Sequence, residues 1–454
     1  MTPPTGHTMP QHPSRPALPL GLFDACRAIA AGTLSAQDYA RQCAAITDQL
    51  EPALHAFVTR LPTPELLAVQ ATGPWAGIPV AVKDLIDTAQ FVTTYGSPIY
   101  AAHRPARDAR IVAALRQLGA VVCGKTVTTE FAWRQNGPTV NPIHPEHTPG
   151  GSSSGSAAAV ATGMVPLAVG TQTYGSVIRP AAYCGVVGLK ASFGAVPRQG
   201  AFPVSGALDH VGFLARSVND VALAFNLLRN QTTEEPGSVV VPAVPMDSQT
   251  GLRPHGPVGL AWLQTPFDDR VSAEQTQAMQ QAVDRLRAAG AVVQTHTLPQ
   301  AYWDALQAMD CLVQSEGGQV HQQHVAQHPD LCSVHIHEMV AKGSARTASE
   351  YRSALAVQQH LRADSRAQLQ GFDAVLTVPA TGEAPHGLGF TGDPLFCALW
   401  SFLGLPAITL PVARSPRGLP LGLQLVAPFG QDGHLLRTAR WVEDTLADPT
   451  PLLS

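Results

Sequence analysis

Two short segments dense in serine and glycine carry the strongest chemical signal in this chain: residues 150–161 read GGSSSGSAAAVA and residues 170–180 read GTQTYGSVIRP. A serine hydroxyl is a poor nucleophile near neutral pH until a neighbouring base takes its proton. The oxyanion formed on attack needs backbone N–H groups that small residues leave uncovered. The two loops supply the hydroxyls and the N–H groups, and Lys83 supplies the base. The expected chemistry is nucleophilic catalysis by a serine.

Lysine usage points the same way. In 454 residues the lysines are Lys83, Lys125, Lys190 and Lys342, and every other fixed cation is arginine. Arginine does not give up its proton in a protein, whereas lysine does so when desolvated. A composition bias towards arginine explains the scarcity but not which lysines remain, and three of the four flank the serine loops. An ordinary lysine titrates near ~10.4, so a base working near neutrality has to be pushed down by burial. Lys83 follows the apolar run 78–82, broken only by Pro79, which reads as a buried strand delivering the lysine from its end. Asp84 could hold the ammonium charged, although adjacent residues of a strand face opposite ways.

At this point the chain resembles the amidase signature hydrolases, over about residues 34–442. The resemblance is carried by GIPVAVKDLIDT (77–88), GKTVTTEFAW (124–133), the two serine loops, AAYCGVVGLKASFG (181–194) and PLFCALWSFLGLPAITLPV (394–412). Several segments in the right order are far more specific than one short motif. The resemblance implies a lysine, a serine after a cis peptide bond and a nucleophilic serine, which fall here on Lys83, Ser152 and Ser176. Neutral Lys83 would take a proton from Ser152, which takes one from Ser176 as it attacks the amide carbonyl. The relay then reverses to protonate the departing amine, and water frees the acid from the acyl-enzyme.

The same resemblance assigns the oxyanion to backbone N–H groups of Thr173, Tyr174, Gly175 and Ser176. Here the sequence departs from the usual pattern, with Gln172 where aspartate is common, Tyr174 where glycine is common, and Ser154 in place of a glycine. A tyrosine requiring positive φ would be strained. Arg179 offers a fork to a substrate carboxylate, or holds the loop through carbonyls. Ser153 and Ser156 either orient the relay or make turn and helix-start hydrogen bonds.

Other constellations are weaker. His321, His324 and His328 share a helical spacing, and His335, His337 and Glu338 lie close in sequence, but no HExxH pattern accompanies them, and no metal or other cofactor is expected. Asp209 and His210 invite a Ser-His-Asp reading with Ser176, yet adjacent residues cannot easily orient one another as such a triad requires. The seven cysteines are scattered, odd in number and without CxxC spacing, so no disulfide framework is implied and a cytoplasmic compartment suits them.

Strand-like runs (78–82, 120–123, 165–169) alternate with helix-like ones (109–118, 156–162), which argues α/β layering. Residues 35–50 open with a helix-start pattern at Ser35 and Asp38. After a Pro- and Val-rich surface connection at 234–257 come strand 258–262, helix 273–289 and strand 291–295. A helical, polar region at 301–370 follows, then strands 374–378, 407–412 and 422–426. The family resemblance implies one mixed central β-sheet covered by helices on both faces. Residues 1–20 read as a disordered Pro-rich leader without an export signal, and 21–454 as a single amidase signature domain.

With 45% hydrophobic and 14% charged residues and a formal net charge of −4, nothing in the composition attracts nucleic acid. No apolar run reaches the ~18 residues of a membrane span. The resemblance implies an amidase that hydrolyses a carboxylic amide C–N bond to acid plus ammonia or amine. Its partner would be a small-molecule amide, and a homodimer stays open. Two alternatives also stay open: a carbamate or ester hydrolase, and the amidase-like subunit of a tRNA-dependent amidotransferase. The divergent loop 172–174 favours the free-standing enzyme. Pocket walls are expected from 301–370 and the loop 381–393, with Trp133, Tyr174, Phe390 and Trp400 as aromatic candidates or as plain core.

Overall fold

A computed structural model describes residues 17–447, so most of the leader expected over 1–20 lies outside the described residues. Eleven strands form one mixed sheet: β1 (Phe57–Arg60), β2 (Pro79–Lys83), β3 (Val121–Thr126), β4 (Leu167–Gln172), β5 (Val187–Lys190) and β6 (His210–Ala215) from the first half of the chain, and five more from the second. A two-stranded ribbon, β7 (Met246–Asp247) with β8 (Gly251–Leu252), interrupts the connection between the halves. The sheet then continues with β9 (Gly259–Gln264), β10 (Val292–Thr297), β11 (Ala374–Thr377), β12 (Ala407–Arg414) and β13 (Pro420–Val426), in the order β1-β3-β2-β4-β6-β5-β12-β13-β11-β9-β10. The expected mixed sheet with helical cover is what the chain forms.

The centre of the first half positions the chemistry. β2 runs parallel to β3 on one side and to β4 on the other, and all its residues are buried. A parallel strand covered on both faces needs a continuous apolar run in place of alternation, which is how IPVAV reads. The β2–β4 register pairs Val80 with Leu167 and Val82 with Val169. Continued by one or two residues, it brings Lys83 to the same end of the sheet as Thr171.

The helix Ser154–Ala161 is buried on every side and packs against β2, β3, β4 and β6. Its sequence, SGSAAAVA, consists almost wholly of small residues, which is what allows a helix to lie that close to a sheet. An added Cβ at Gly155 would stand 2.1 Å from the Ala56 carbonyl oxygen. The helix begins ahead of the Ala-rich run, so Ser154 and Ser156 both lie within its first turn.

Other helices start where their caps dictate. Ser35 accepts from the Asp38 N–H at the start of Ala36–Leu54, and Thr347 and Glu350 form a reciprocal capping box at the start of Ala348–Gln368. The helices Val334–Ser344 and Ala348–Gln368 both pack on Gln300–Gln327, and Tyr302, Met309 and Leu312 are buried in a second apolar cluster. No helix among the described residues is long and apolar enough to cross a membrane.

Candidate active site

Lys83 closes β2 with no solvent exposure, and its Nζ donates at 2.7 Å to Ser152 Oγ and at 2.7 Å to Thr171 Oγ1. Burial drives its pKa well below the ordinary lysine value, and the charge of Asp209 pulls in the opposite direction without offsetting it. Asp84 does not hold the ammonium. It turns to the other side, where it pairs with buried Lys125 at 3.4 Å and accepts from the Thr94 N–H at 3.0 Å. Opposite faces of the strand thus keep Lys83 apart from its neighbouring carboxylate.

Ser152 follows a cis peptide bond after Gly151 and sits just before the helix Ser154–Ala161. Ser176 lies in the turn between β4 and the helix Ile178–Cys184, and its carbonyl accepts from the Ser153 N–H at 3.2 Å. Ser152 and Ser176 line one cavity of about 470 Å³, a volume suited to a small ligand. Ser153 fixes the geometry from behind: its hydroxyl donates to the Thr171 carbonyl at 3.2 Å and accepts from the Thr171 N–H at 3.3 Å. Ser156 instead bonds Thr126 Oγ1 at 2.6 Å and holds its helix on the sheet.

The departures from the common loop pattern have a structural explanation. Gln172 Oε1 accepts from the N–H groups of Val177 and Ile178 at 2.8 and 3.0 Å, and its Nε2 donates to Ser401 Oγ at 3.0 Å. Ser401 in turn donates to the Tyr174 carbonyl at 2.7 Å. One amide therefore caps the helix start and braces the loop. Tyr174 avoids the left-handed region of backbone space, so the strain anticipated for a side chain there does not arise. The backbone N–H groups of Thr173, Tyr174, Gly175 and Ser176 have no hydrogen-bond partner among the described residues. Thr173 and Tyr174 line the cavity. Gly175 packs instead on Cys397, which an added Cβ would meet at 3.0 Å.

Arg179 is 5% exposed and borders the same cavity. Its Nη2 donates to the Gly151 carbonyl at 2.8 Å and to Thr391 Oγ1 at 3.1 Å, while Nε and Nη1 have no partner among the described residues. The guanidinium thus ties the first serine loop to the segment around Thr391. Trp133, Tyr174 and Phe390 contribute aromatic surface to the cavity, whereas Trp400 is core. The expected wall segments contribute Leu306, Asp310 and His335 from the helical region and 389–393 from the loop.

Residues that sequence reasoning passes over are Thr171, which holds Lys83, and Arg134 and Asp310, which line the wall. Asp310 accepts from the Tyr174 hydroxyl. Arg134 and Asp310 belong to no motif, and Thr171, although it lies in the second serine loop, carries no role that its residue type or spacing announces. The Ser-His-Asp reading fails geometrically: Asp209 accepts from Thr173 Oγ1 at 2.6 Å, and the His210 ring lies against Phe193 with no hydrogen bond to Asp209 or Ser176. His321 and His324 contact one another within a cluster of aromatic rings that includes Phe131 and Phe202.

Comparison with known proteins gives a consistent picture. Residues 39–436 match the profile of the amidase family. The chain is 33% identical to a glutamyl-tRNA(Gln) amidotransferase subunit of Thermus thermophilus, covering 92% of this chain and 96% of that one. The solved glutamyl-tRNA(Gln) amidotransferase subunit from Thermotoga maritima superposes with a TM-score of 0.80 at 26% identity, over 94% of each chain. The peptide amidase of Stenotrophomonas maltophilia superposes with a TM-score of 0.78, also at 26% identity, over 94% of this chain and 96% of that one. These relatives lend more weight to the amidotransferase alternative than the divergent loop suggests. The chain belongs to the amidase signature family, a mixed α/β enzyme of amide carbon–nitrogen chemistry, acting either as a hydrolase or as part of an amidotransferase.

Proposed function

We propose that this protein transfers the acyl group of an amide to Ser176 and releases ammonia or an amine, with Lys83 as base and Ser152 as the relay between them. The observation that carries the reading is a fully buried lysine within 2.7 Å of the Ser152 hydroxyl, its pKa pushed down by burial. A neutral amine in that place accepts the Ser152 proton as Ser152 accepts that of Ser176. The Ser176 oxygen attacks the carbonyl carbon, and the oxyanion is received by the unpartnered N–H groups of the 173–176 turn. The two serine hydroxyls are not hydrogen-bonded to one another, and catalytic contacts of this kind commonly tighten only around substrate. The proton then returns along the relay to the leaving nitrogen, and water resolves the acyl-serine.

A second reading concerns what the released ammonia is for. The relatives named as amidotransferase subunits support a role as the amidase part of a tRNA-dependent amidotransferase, with companion chains taking up the ammonia. Gln172 and Tyr174 in the serine loop support a free-standing enzyme for a small amide, carbamate or ester. The deciding experiment supplies the purified chain with an amide, carbamate and ester panel, including glutamine, and analyses the quenched protein by mass spectrometry. Acylation of the peptide containing Ser176 with product release supports the first reading. Turnover of glutamine that appears only with added amidotransferase components supports the second. A label on another residue refutes the assignment of the nucleophile.

A further inference from the structure

We propose that His255, Asp373 and His434 form a binding site for one divalent transition-metal ion of the zinc class, outside the reaction cavity, against the expectation that the chain holds no metal. Three separate segments converge there. His255 precedes β9, Asp373 immediately precedes β11, and His434 lies in the first turn of the helix Asp432–Leu446. β9 and β11 are parallel neighbours, so their starting ends lie side by side. The His255 N–H donates to the Arg437 carbonyl at 3.2 Å, which fastens its segment to the helix.

The ligand atoms already point at one another. His255 Nε2 stands 3.2 Å and His434 Nε2 2.8 Å from the same carboxylate oxygen, Asp373 Oδ1, and all three atoms fall within 4.8 Å of one another. Tetrahedral zinc with bonds of about 2.0–2.2 Å sets its ligand atoms roughly 3.3 Å apart. Two of the three separations, 3.2 and 2.8 Å, already lie close to that value, and the third is within 4.8 Å, so the side chains need only draw together around an ion. The other carboxylate oxygen is held by the Gly259 N–H at 2.7 Å, and the Asp373 N–H donates to the Gly259 carbonyl at 2.7 Å. A backbone clamp of this kind orients a carboxylate ligand as outer-shell hydrogen bonds do in metal sites.

Two imidazoles with one carboxylate suit zinc, cobalt or nickel over calcium or magnesium, which prefer all-oxygen sites. An imidazole that carries its proton on Nδ1 lends the Nε2 pair to the ion, and both Nε2 atoms face the shared carboxylate oxygen. The three side chains are 39%, 23% and 31% exposed in chain order, which admits an ion and leaves water to complete its coordination. None of the three lines the cavity of Ser152 and Ser176. The ion would act as a cross-link between the starts of two strands and the C-terminal helix.

The test uses the full chain stripped with a chelator. Zinc titration by calorimetry should show one saturable site, and cobalt should develop visible absorption bands of a nitrogen- and oxygen-ligated ion. Zinc should also raise the unfolding temperature, because it binds the folded state preferentially. His434→Gln and His255→Gln should each weaken that site by roughly 100-fold or more, the upper end of what loss of a supporting partner costs, and should remove the thermal shift. The His255 variant lies in an irregular segment and serves if the helical variant does not fold. Absence of saturable binding, or a stoichiometry and affinity unchanged in the folded variants, would overturn the proposal.

Discussion

Lys83 and Ser152 meet at 2.7 Å in a part of the fold where, among the described residues, no carboxylate forms an ion pair with the lysine. The second partner of the amine is a hydroxyl, Thr171, and Asp209, the acid whose charge acts on it, spends its oxygens on Thr173 and on the N–H groups of Val204 and Ser205. A buried ammonium without a paired anion is costly, so the neutral amine is the favoured form.

Replacing Lys83 by methionine should therefore separate function from folding. Turnover should fall by roughly 10³-fold or more, the scale of a lost general base, while the unfolding free energy stays level or rises because a buried amine is removed. Steady-state kinetics beside denaturant unfolding reads both. Turnover within tenfold of the parent at neutral pH would remove Lys83 from the mechanism.

Thr171→Val deletes one acceptor of the Lys83 amine and keeps the shape of the side chain. The expected result is a fall in kcat of roughly 10-fold, about the worth of one hydrogen bond of 1.5 kcal/mol, with KM little changed. A change confined to KM would assign Thr171 to substrate binding.

The pH profile carries a signed prediction. Asp209 raises the Lys83 pKa against the lowering by burial, so Asp209→Asn should lower it further. The acidic limb of kcat/KM reports the free enzyme's base and should then move to lower pH. A limb that moves upward would contradict the charge relationship.

Lys190 offers a second test of what burial does to an amine. It is wholly buried, hydrogen-bonded to the Leu405 carbonyl, and burial lowers its pKa to about 7. In the unfolded chain a lysine stays protonated to about 10.4. Between those values the unfolded state binds more protons, so stability contributed by this group rises with pH across that window and is least below about 7. Lys190→Met should flatten the rise, by up to about 1.4 kcal/mol per pH unit, in paired unfolding curves at pH 7 and pH 9.

Much of this site is legible in the sequence because its residues sit at the ends of strongly patterned elements. The run before Lys83 announces a buried strand, and the two serine loops stand out against apolar flanks. The strands β5 and β6 are not anticipated: β5 has only four residues, and β6 opens on a histidine and contains a glycine, so neither shows a clear period. Gln172 looks like a weak point of the oxyanion turn, because a sequence does not disclose that a side-chain carbonyl can cap two N–H groups. The convergence of His255, Asp373 and His434 spans nearly 180 residues and depends on the pairing of β9 with β11, which no local pattern encodes.

The parallel register of β2 and β4 has an operational meaning. Lys83, the proposed base, and the turn that carries Ser176, the proposed nucleophile, grow from neighbouring strands of one hydrogen-bonded ladder, so their spacing does not wait on the closing of a lid. Catalytic competence and the integrity of the central sheet should then be lost together on heating, with residual activity following the far-ultraviolet signal of the strands and not that of the peripheral helices.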